Sequence, residues 1–275
     1  MASSYDPPSL VNTLRVLAVS ADKPFAEPGE SVHLEMLLAD PNGDGRPVQI
    51  AWGLCVNPGS AEIGACADSV ISFQTSGESF GFTVPDSALD AVPPEAPVGS
   101  VGVVFAACAG TITAQRTPLS PVRCQNSAGA DVGRSGFVWG EKRVTVVRGL
   151  RNHNPLLARL RVDGVIWPAD EVRALRSCDA ASVADCGAEG QHALQLDVAA
   201  ASFEQYFGQT EDLVGFFFTS QGQLRDDFQR PDADGTLLTV LALDKRDAAR
   251  PVLLWFVVRD DRGGMSFTSR RARLQ

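Results

Sequence analysis

The chain has 275 residues, and 24 Lys and Arg set against 33 Asp and Glu leave a net charge of −9. That balance offers no cationic footprint for gripping a phosphate backbone, so nucleic acid is not an expected partner. No apolar run approaches the ~18 residues that a membrane-crossing helix needs, and a 44 % hydrophobic content with 25 Gly and 17 Pro indicates a folded chain with many turns.

Apolar and polar residues alternate with a period of two between clusters of Gly, Pro, Asp and Asn, which predicts strands. In the first half these are Leu14–Ser20, Val32–Leu38, Val48–Leu54, Ser79–Val84, Val101–Ala107 and Arg143–Val147. Lys23–Glu30, with two prolines and a glycine, turns the chain between the first two strands, and Asp40–Gly45 makes the next reversal. Ser87–Pro97 reads as a Pro- and Ala-rich connection, and 108–136 as a long loop. A second cycle follows Gly149, with strands at Leu157–Asp163, Ala193–Val198, Leu213–Phe218, Thr236–Leu241, Val252–Val258 and Met265–Arg271. Only Ala169–Arg176 and Ser202–Phe207 carry a helical pattern, each barely two turns long. The expected architecture is all-β: two β-sandwich domains in tandem, 10–148 and 155–275, joined near Arg148–Asn154.

The six cysteines form three local pairs, Cys55 with Cys66, Cys108 with Cys124 and Cys178 with Cys186. Short intervals rich in small residues suit disulfide-closed loops formed in an oxidising compartment. Zinc sites instead use knuckles with two to four residues between ligands, and here ten, fifteen and seven intervene. The segment Met1–Pro8 has neither a positive n-region nor an apolar h-region, so a secretory leader is not expected within it. Any leader and lipidated cysteine would belong to a precursor, upstream of Ala2.

Three patterns are weighed for chemistry. Gly77-Glu-Ser-Phe-Gly81 matches the nucleophile-elbow motif, but Phe80, Phe82 and Val84 alternate as a strand and no helix opens after Ser79. The partner histidine would have to be His153 or His192, neither with a distinctive partner in the sequence. An enzyme is therefore not expected. Asp40, Asn42 and Asp44, followed by Gly45, reproduce the first half of a calcium loop, yet the position of the closing bidentate acid holds Ala51. Calcium is the one cofactor considered, against a plain turn between strands. Among the aromatics, Trp52 and Trp255 lie inside apolar strands and read as core, as does most of the Phe216–Phe218 run. Trp139 and Trp167, beside Gly and Pro, are the candidate stacking platforms for a sugar ring. Arg259, Arg262, Arg270, Arg271 and Arg273 form a basic C-terminal cluster, with Arg271 and Arg273 on one face; it reads as a solvated sheet edge, against the alternative of a contact with an anionic surface.

Leu14-Arg-Val-Leu-Ala-Val19, Glu27-Pro-Gly-Glu-Ser-Val32, Ala39-Asp-Pro-Asn-Gly43 and Ala51-Trp-Gly-Leu-Cys55 answered by Cys66 occur in the first half. Leu254-Trp-Phe-Val-Val-Arg-Asp-Asp-Arg-Gly-Gly264 occurs in the second. These motifs resemble the immunoglobulin-like repeats of predicted surface lipoproteins from myxobacteria and their relatives. The resemblance implies two immunoglobulin-like sandwiches, exported and held at the outer membrane by a lipid anchor or released to the cell surface, with no catalytic residues to carry over. The expected function is a non-enzymatic scaffold or recognition protein that binds a protein or a glycan through loops at the sandwich ends, chiefly Gly110–Gly136 and Cys178–Gly190. The alternative is a carbohydrate-binding accessory module assisted by calcium.

Overall fold

The structure, a computed structural model, describes residues 7–41, 43, 45–56, 66, 70, 73–90, 92–95, 97–115, 120–178, 186–243 and 250–275. The chain divides into two compact units. One comprises Thr13–Asn154 with Arg262–Met265; the other comprises Met1–Asn12, Pro155–Asp261 and Ser266–Gln275.

The first sandwich contains β1 (Arg15–Ala21), β2 (Phe25–Ala26), β3 (Ser31–Ala39), β4 (Gln49–Val56), β5 (Phe73–Ser76), β6 (Ser79–Thr83), β7 (Val98–Cys108), β8 (Thr111–Thr113), β9 (Arg123–Gln125) and β10 (Phe137–Val147). One sheet has the order β1-β3-β6, the other β2-β10-β7-β4-β5, and β8 and β9 form a separate ribbon. All pairings are antiparallel except β2 with β10, which is parallel. The first strand thus splits between two sheets, its second part lying beside the last strand, while successive strands cross between sheets. This is the strand order of an immunoglobulin-like sandwich.

The second sandwich repeats it. Its strands are β11 (Leu157–Val162), β12 (Val165–Ile166), β13 (Val172–Leu175), β14 (Gln191–Val198), β15 (Gln205–Tyr206), β16 (Gln209–Thr210), β17 (Leu213–Thr219), β18 (Gln223–Leu224), β19 (Phe228–Gln229), β20 (Thr236–Ala242), β21 (Val252–Asp260) and β22 (Met265–Leu274). The sheets run β12-β11-β14-β20-β18 and β13-β22-β21-β17-β19, with β15-β16 as a ribbon. Again the split first strand, here β13, runs parallel to the last, β22.

Alternation explains why these segments pair as they do. In β3, Val32, Leu34 and Met36 are buried while Ser31, His33 and Glu35 are exposed, so a slip of one residue would turn the apolar set to solvent. Trp52 is fully buried at the centre of the first core, stacked on Phe80 with centroids 5.5 Å apart and tilted toward Phe105 at 6.1 Å. Its indole N–H donates to the Gly77 carbonyl at 3.2 Å. In the second core Phe217 meets Phe256 edge-on at 5.8 Å, and Leu194, Leu237 and Leu241 close around them. Gly215 is required here, because a Cβ at that position would lie 2.4 Å from Leu237 Cδ1.

Several local expectations are corrected. Ala169–Arg176 is a turn followed by β13, and Ser202–Phe207 is the end of a 3-10 turn, Ala200–Ser202, followed by β15. Pairing with β22 satisfies the main chain of 172–175 along its length, which outweighs the weak helical preference of a short segment. The 108–136 loop holds the β8-β9 ribbon. β22 is also an interior strand, flanked by β13 and β21, so Arg271 and Arg273 do not mark a sheet edge.

Candidate functional site

The end of β7 lies opposite the start of β4, with Cys108 facing Gln49 in register. The turn from Asp40 to Val48 and the segment from Ala109 to Gly136 therefore emerge side by side. The Gln49 side-chain oxygen accepts from the Ile112 amide. Arg46 grips both carboxylate oxygens of Asp40, Nε to Oδ2 at 2.7 Å and Nη2 to Oδ1 at 3.0 Å, and reaches toward the Ser135 carbonyl at 3.5 Å.

This clasp bears on the calcium motif. Both Asp40 oxygens face a guanidinium, and a Cβ on Gly43 would collide with Asp40 Oδ2 at 2.1 Å, so the glycine lets the turn close over the carboxylate. Asn42 and Asp44 lie outside the described residues. Among the described residues no group of three His, Cys, Asp or Glu is placed to hold a metal ion.

The described part of the long segment, 109–115 and 120–136, contains the β8-β9 ribbon. Cys108–Cys124, with Cα atoms 5.8 Å apart, ties β9 to the end of β7. The Asn126 side-chain oxygen accepts from the amides of Ala128 and Ala130 at 3.0 and 3.1 Å, and the Asn126 amide donates to the Ala130 carbonyl at 2.9 Å. Gly129 supplies the positive φ of 77° that this tight tip demands. Arg123 and Asp131 form a two-point ion pair across the ribbon, which holds the Asp131 carboxyl below the usual aspartate range. The tip itself, Asn126–Asp131, is exposed and made of small residues, with Asn126, Ser127 and Asp131 its polar ones. A main chain held rigid in this way is a preorganised contact surface.

Cys55–Cys66 closes over the outer face of the same sandwich's larger sheet, with Val104, Phe73 and Trp139 packed around it. Gly102 makes room, since a Cβ there would lie 2.7 Å from Cys66 Sγ. Trp139 is thus half-buried beside a disulfide. The expectation for Trp167 is overturned: it is 1 % exposed. The chain changes sheets between β12 and β13, and the Trp167 ring fills the opening between them, its N–H donating to the Glu171 carbonyl at 3.0 Å. Arg173 covers it, 6.0 Å from the ring centroid.

In the second sandwich Cys178–Cys186 closes its loop with Cα atoms 5.5 Å apart. Its feet are tied to Leu243, which accepts from the Cys178 amide at 2.9 Å and donates to the Gly190 carbonyl at 3.0 Å. Residues 179–185 lie outside the described residues. His192, beside this loop, does have a distinctive partner: Asp163 Oδ2 lies 2.8 Å from Nδ1, and Nε2 donates to the Arg176 carbonyl at 2.9 Å. With Nε2 committed to main chain, the pair fastens the Asp163-Gly164 turn to β14. His192→Ala is expected to cost about 1–2 kcal/mol by removing a buried ring and the donor to the Arg176 carbonyl, read as a lowered urea midpoint. Ser79 is exposed at the start of β6, and no helix follows it.

The sequence reading passed over Phe228, which is 64 % exposed on β19 opposite Phe216; Arg259, counted there only among the C-terminal arginines, has its guanidinium 4.4 Å from the Phe216 ring centroid. A lone Phe in the polar run Gln223–Asp234 gives no periodic signal.

No protein-family model and no curated protein matches the chain. Among solved structures it is similar to the D0-D1 domain of Intimin, at 13 % identity over 94 % of this chain and 98 % of that one, with a TM-score of 0.25. The D00-D0 domain of Intimin follows at 10 % identity, covering 96 % and 97 %, with a TM-score of 0.25. The Yersinia pseudotuberculosis adhesin InvE matches at 12 % identity, covering 95 % of this chain and 60 % of that one, with a TM-score of 0.24. The fold is immunoglobulin-like on its own strand order.

Proposed function

We propose that this chain is an exported, non-enzymatic recognition protein of a bacterial cell surface, and that it binds a protein partner through the loop end of the first sandwich. The observation that supports this most is the disulfide-anchored ribbon between β7 and β10, whose tip is exposed yet hydrogen-bonded at nearly every main-chain step. Ordering such a segment in advance reduces the entropy lost on binding, which is how loops on a rigid sandwich act as contact surfaces. Three disulfides support an oxidising compartment. Anchoring at the outer membrane by lipid rests on the resemblance of the sequence motifs alone.

Beads coated with the protein test this reading against intact cells of the source bacterium. Replacing Asn126–Ala130 with a Gly-Ser stretch of equal length is expected to reduce bead attachment at least tenfold while the circular dichroism spectrum is unchanged. Undiminished attachment would remove the ribbon from the binding site. Thiol trapping before cell lysis tests the compartment: six blocked cysteines support export, and six reactive ones refute it.

A further inference from the structure

The outer face of the β13-β22-β21-β17-β19 sheet has a composition that its place in a chain of net charge −9 does not predict. Strand alternation identifies which residues point outward. Gly215 and Phe217 are buried, so Val214, Phe216 and Phe218 face out; Val258 and Asp260 are buried, so Arg259 faces out; Ala272 is in the core, so Arg271 and Arg273 face out. None of the outward positions of β17, of β21 or of the C-terminal part of β22 is a carboxylate. The face is aromatic and cationic.

At one end of it the residues are arranged to do more than fill space. Phe228 sits on the edge strand β19, directly opposite Phe216, with ring centroids 6.4 Å apart and planes inclined by 32°. Phe216 is half-buried with the Arg259 guanidinium over its ring, 4.4 Å from the centroid, while Phe228 remains 64 % exposed. The Phe216 ring fixes the guanidinium by cation–π attraction, and among the described residues no carboxylate pairs with it. Arg230, one residue past β19, is already bonded to Asp212 at 2.9 Å. The result is an exposed aromatic ring on an edge strand, beside a guanidinium that no carboxylate pairs among the described residues.

We propose that this face binds a carboxylated polysaccharide, a polyuronate, with one sugar ring stacked on Phe228 and its carboxylate held by Arg259. A sugar ring presents an apolar C–H face to an aromatic side chain, and a planar carboxylate matches the guanidinium fork with two parallel hydrogen bonds. A polymer runs off an open sheet edge, with Arg271 and Arg273 placed on the same face for further carboxylates. Charge complementarity argues for an anionic ligand, and the exposed Phe228 ring argues for a glycan over an acidic polypeptide, which has no flat apolar face to stack at each charge. The site is separate from the ribbon of the first sandwich and does not depend on it.

Affinity electrophoresis of the full chain through gels containing polygalacturonate, dextran or poly-glutamate tests the proposal. Retardation by polygalacturonate alone is expected. Phe228→Ala and Arg259→Gln should each weaken it at least tenfold, whereas Phe228→Tyr, which keeps the ring, should stay within threefold of the parent. Both altered side chains are exposed, and an unchanged circular dichroism spectrum certifies the fold. Absence of retardation by polygalacturonate overturns the proposal. So does equal retardation by poly-glutamate, or a Phe228→Ala variant that binds as well as the parent, since either would reduce the interaction to charge alone. Replacement of Asn126–Ala130 should leave retardation unaltered, which distinguishes failure here from failure of the ribbon.

Discussion

Trp52→Ala is expected to destabilise the first sandwich by about 4 kcal/mol, the range for deleting a large aromatic from a close-packed core. The side chain is fully buried, contacts Phe80 face to face and Phe105 at a tilt, and binds the Gly77 carbonyl. Its removal therefore leaves a cavity between the two sheets and an unpaired acceptor in the β5-β6 turn. With a denaturant dependence of about 2 kcal/mol per molar urea, the midpoint for this sandwich should fall by about 2 M. Trp52→Phe keeps most of the stack and forfeits only the hydrogen bond and part of the volume, so a loss of about 1–2 kcal/mol is expected. A Trp52→Ala protein that unfolds within 0.5 M of the parent would show that the core is not organised around this ring.

Replacing Cys108 and Cys124 together by alanine is the second change with a large expected effect. The bridge closes a loop of sequence separation 16, and removing a cross-link of that length costs about 3 kcal/mol through the freedom regained by the unfolded chain. The local consequence is greater than the global one. Among the described residues β9 pairs only with β8 and, at one bridge, with Asp131, so without the disulfide the ribbon is held to the sandwich chiefly by the Gln49–Ile112, Arg46–Ser135 and Leu14–Ser135 hydrogen bonds. Hydrogen exchange at the Ile112 and Val132 amides should accelerate at least a hundredfold, while the Val103 and Val144 amides of β7 and β10 change far less. Equal protection in the parent and the double variant would mean the ribbon is ordered by its own hydrogen bonds. The bridge between Cys178 and Cys186 spans only eight positions, and its loss should cost less by the same argument.

The long strands were legible because one of their faces is buried and the other wet. β3, β14 and β17 write that difference into every second residue. The short strands were not. β2, β12, β18 and β19 have two residues each, too few to show a period, and they exist because a neighbour offers an edge. β13 reads as a helix in isolation for the same reason: its partner, β22, is nearly a hundred positions away. Trp167 was misplaced because a tryptophan next to proline looks like a surface loop, whereas here the proline marks the point at which the chain steps from one sheet to the other over the open side of the core. The three cysteine pairs were readable from their spacing; the ribbon that one of them anchors was not, since its order comes from the Asn126 side chain and the positive φ of Gly129. Phe216 and the C-terminal arginines stood out singly, but the face they make with Phe228 did not, because Phe216, Phe228 and Arg259 come from three strands and meet only through register.

Arg173 does a second service besides covering Trp167. Its guanidinium donates to the main-chain carbonyls of Val165 and Ile166, on the outermost strand of its sheet, where both side chains are more than half exposed. A bare stretch of that kind is a template on which another polypeptide could be laid down, and sticky aliphatic flanks would help it. By occupying those acceptors with a charged group, the protein makes the border of the sandwich a poor seed for fibrils.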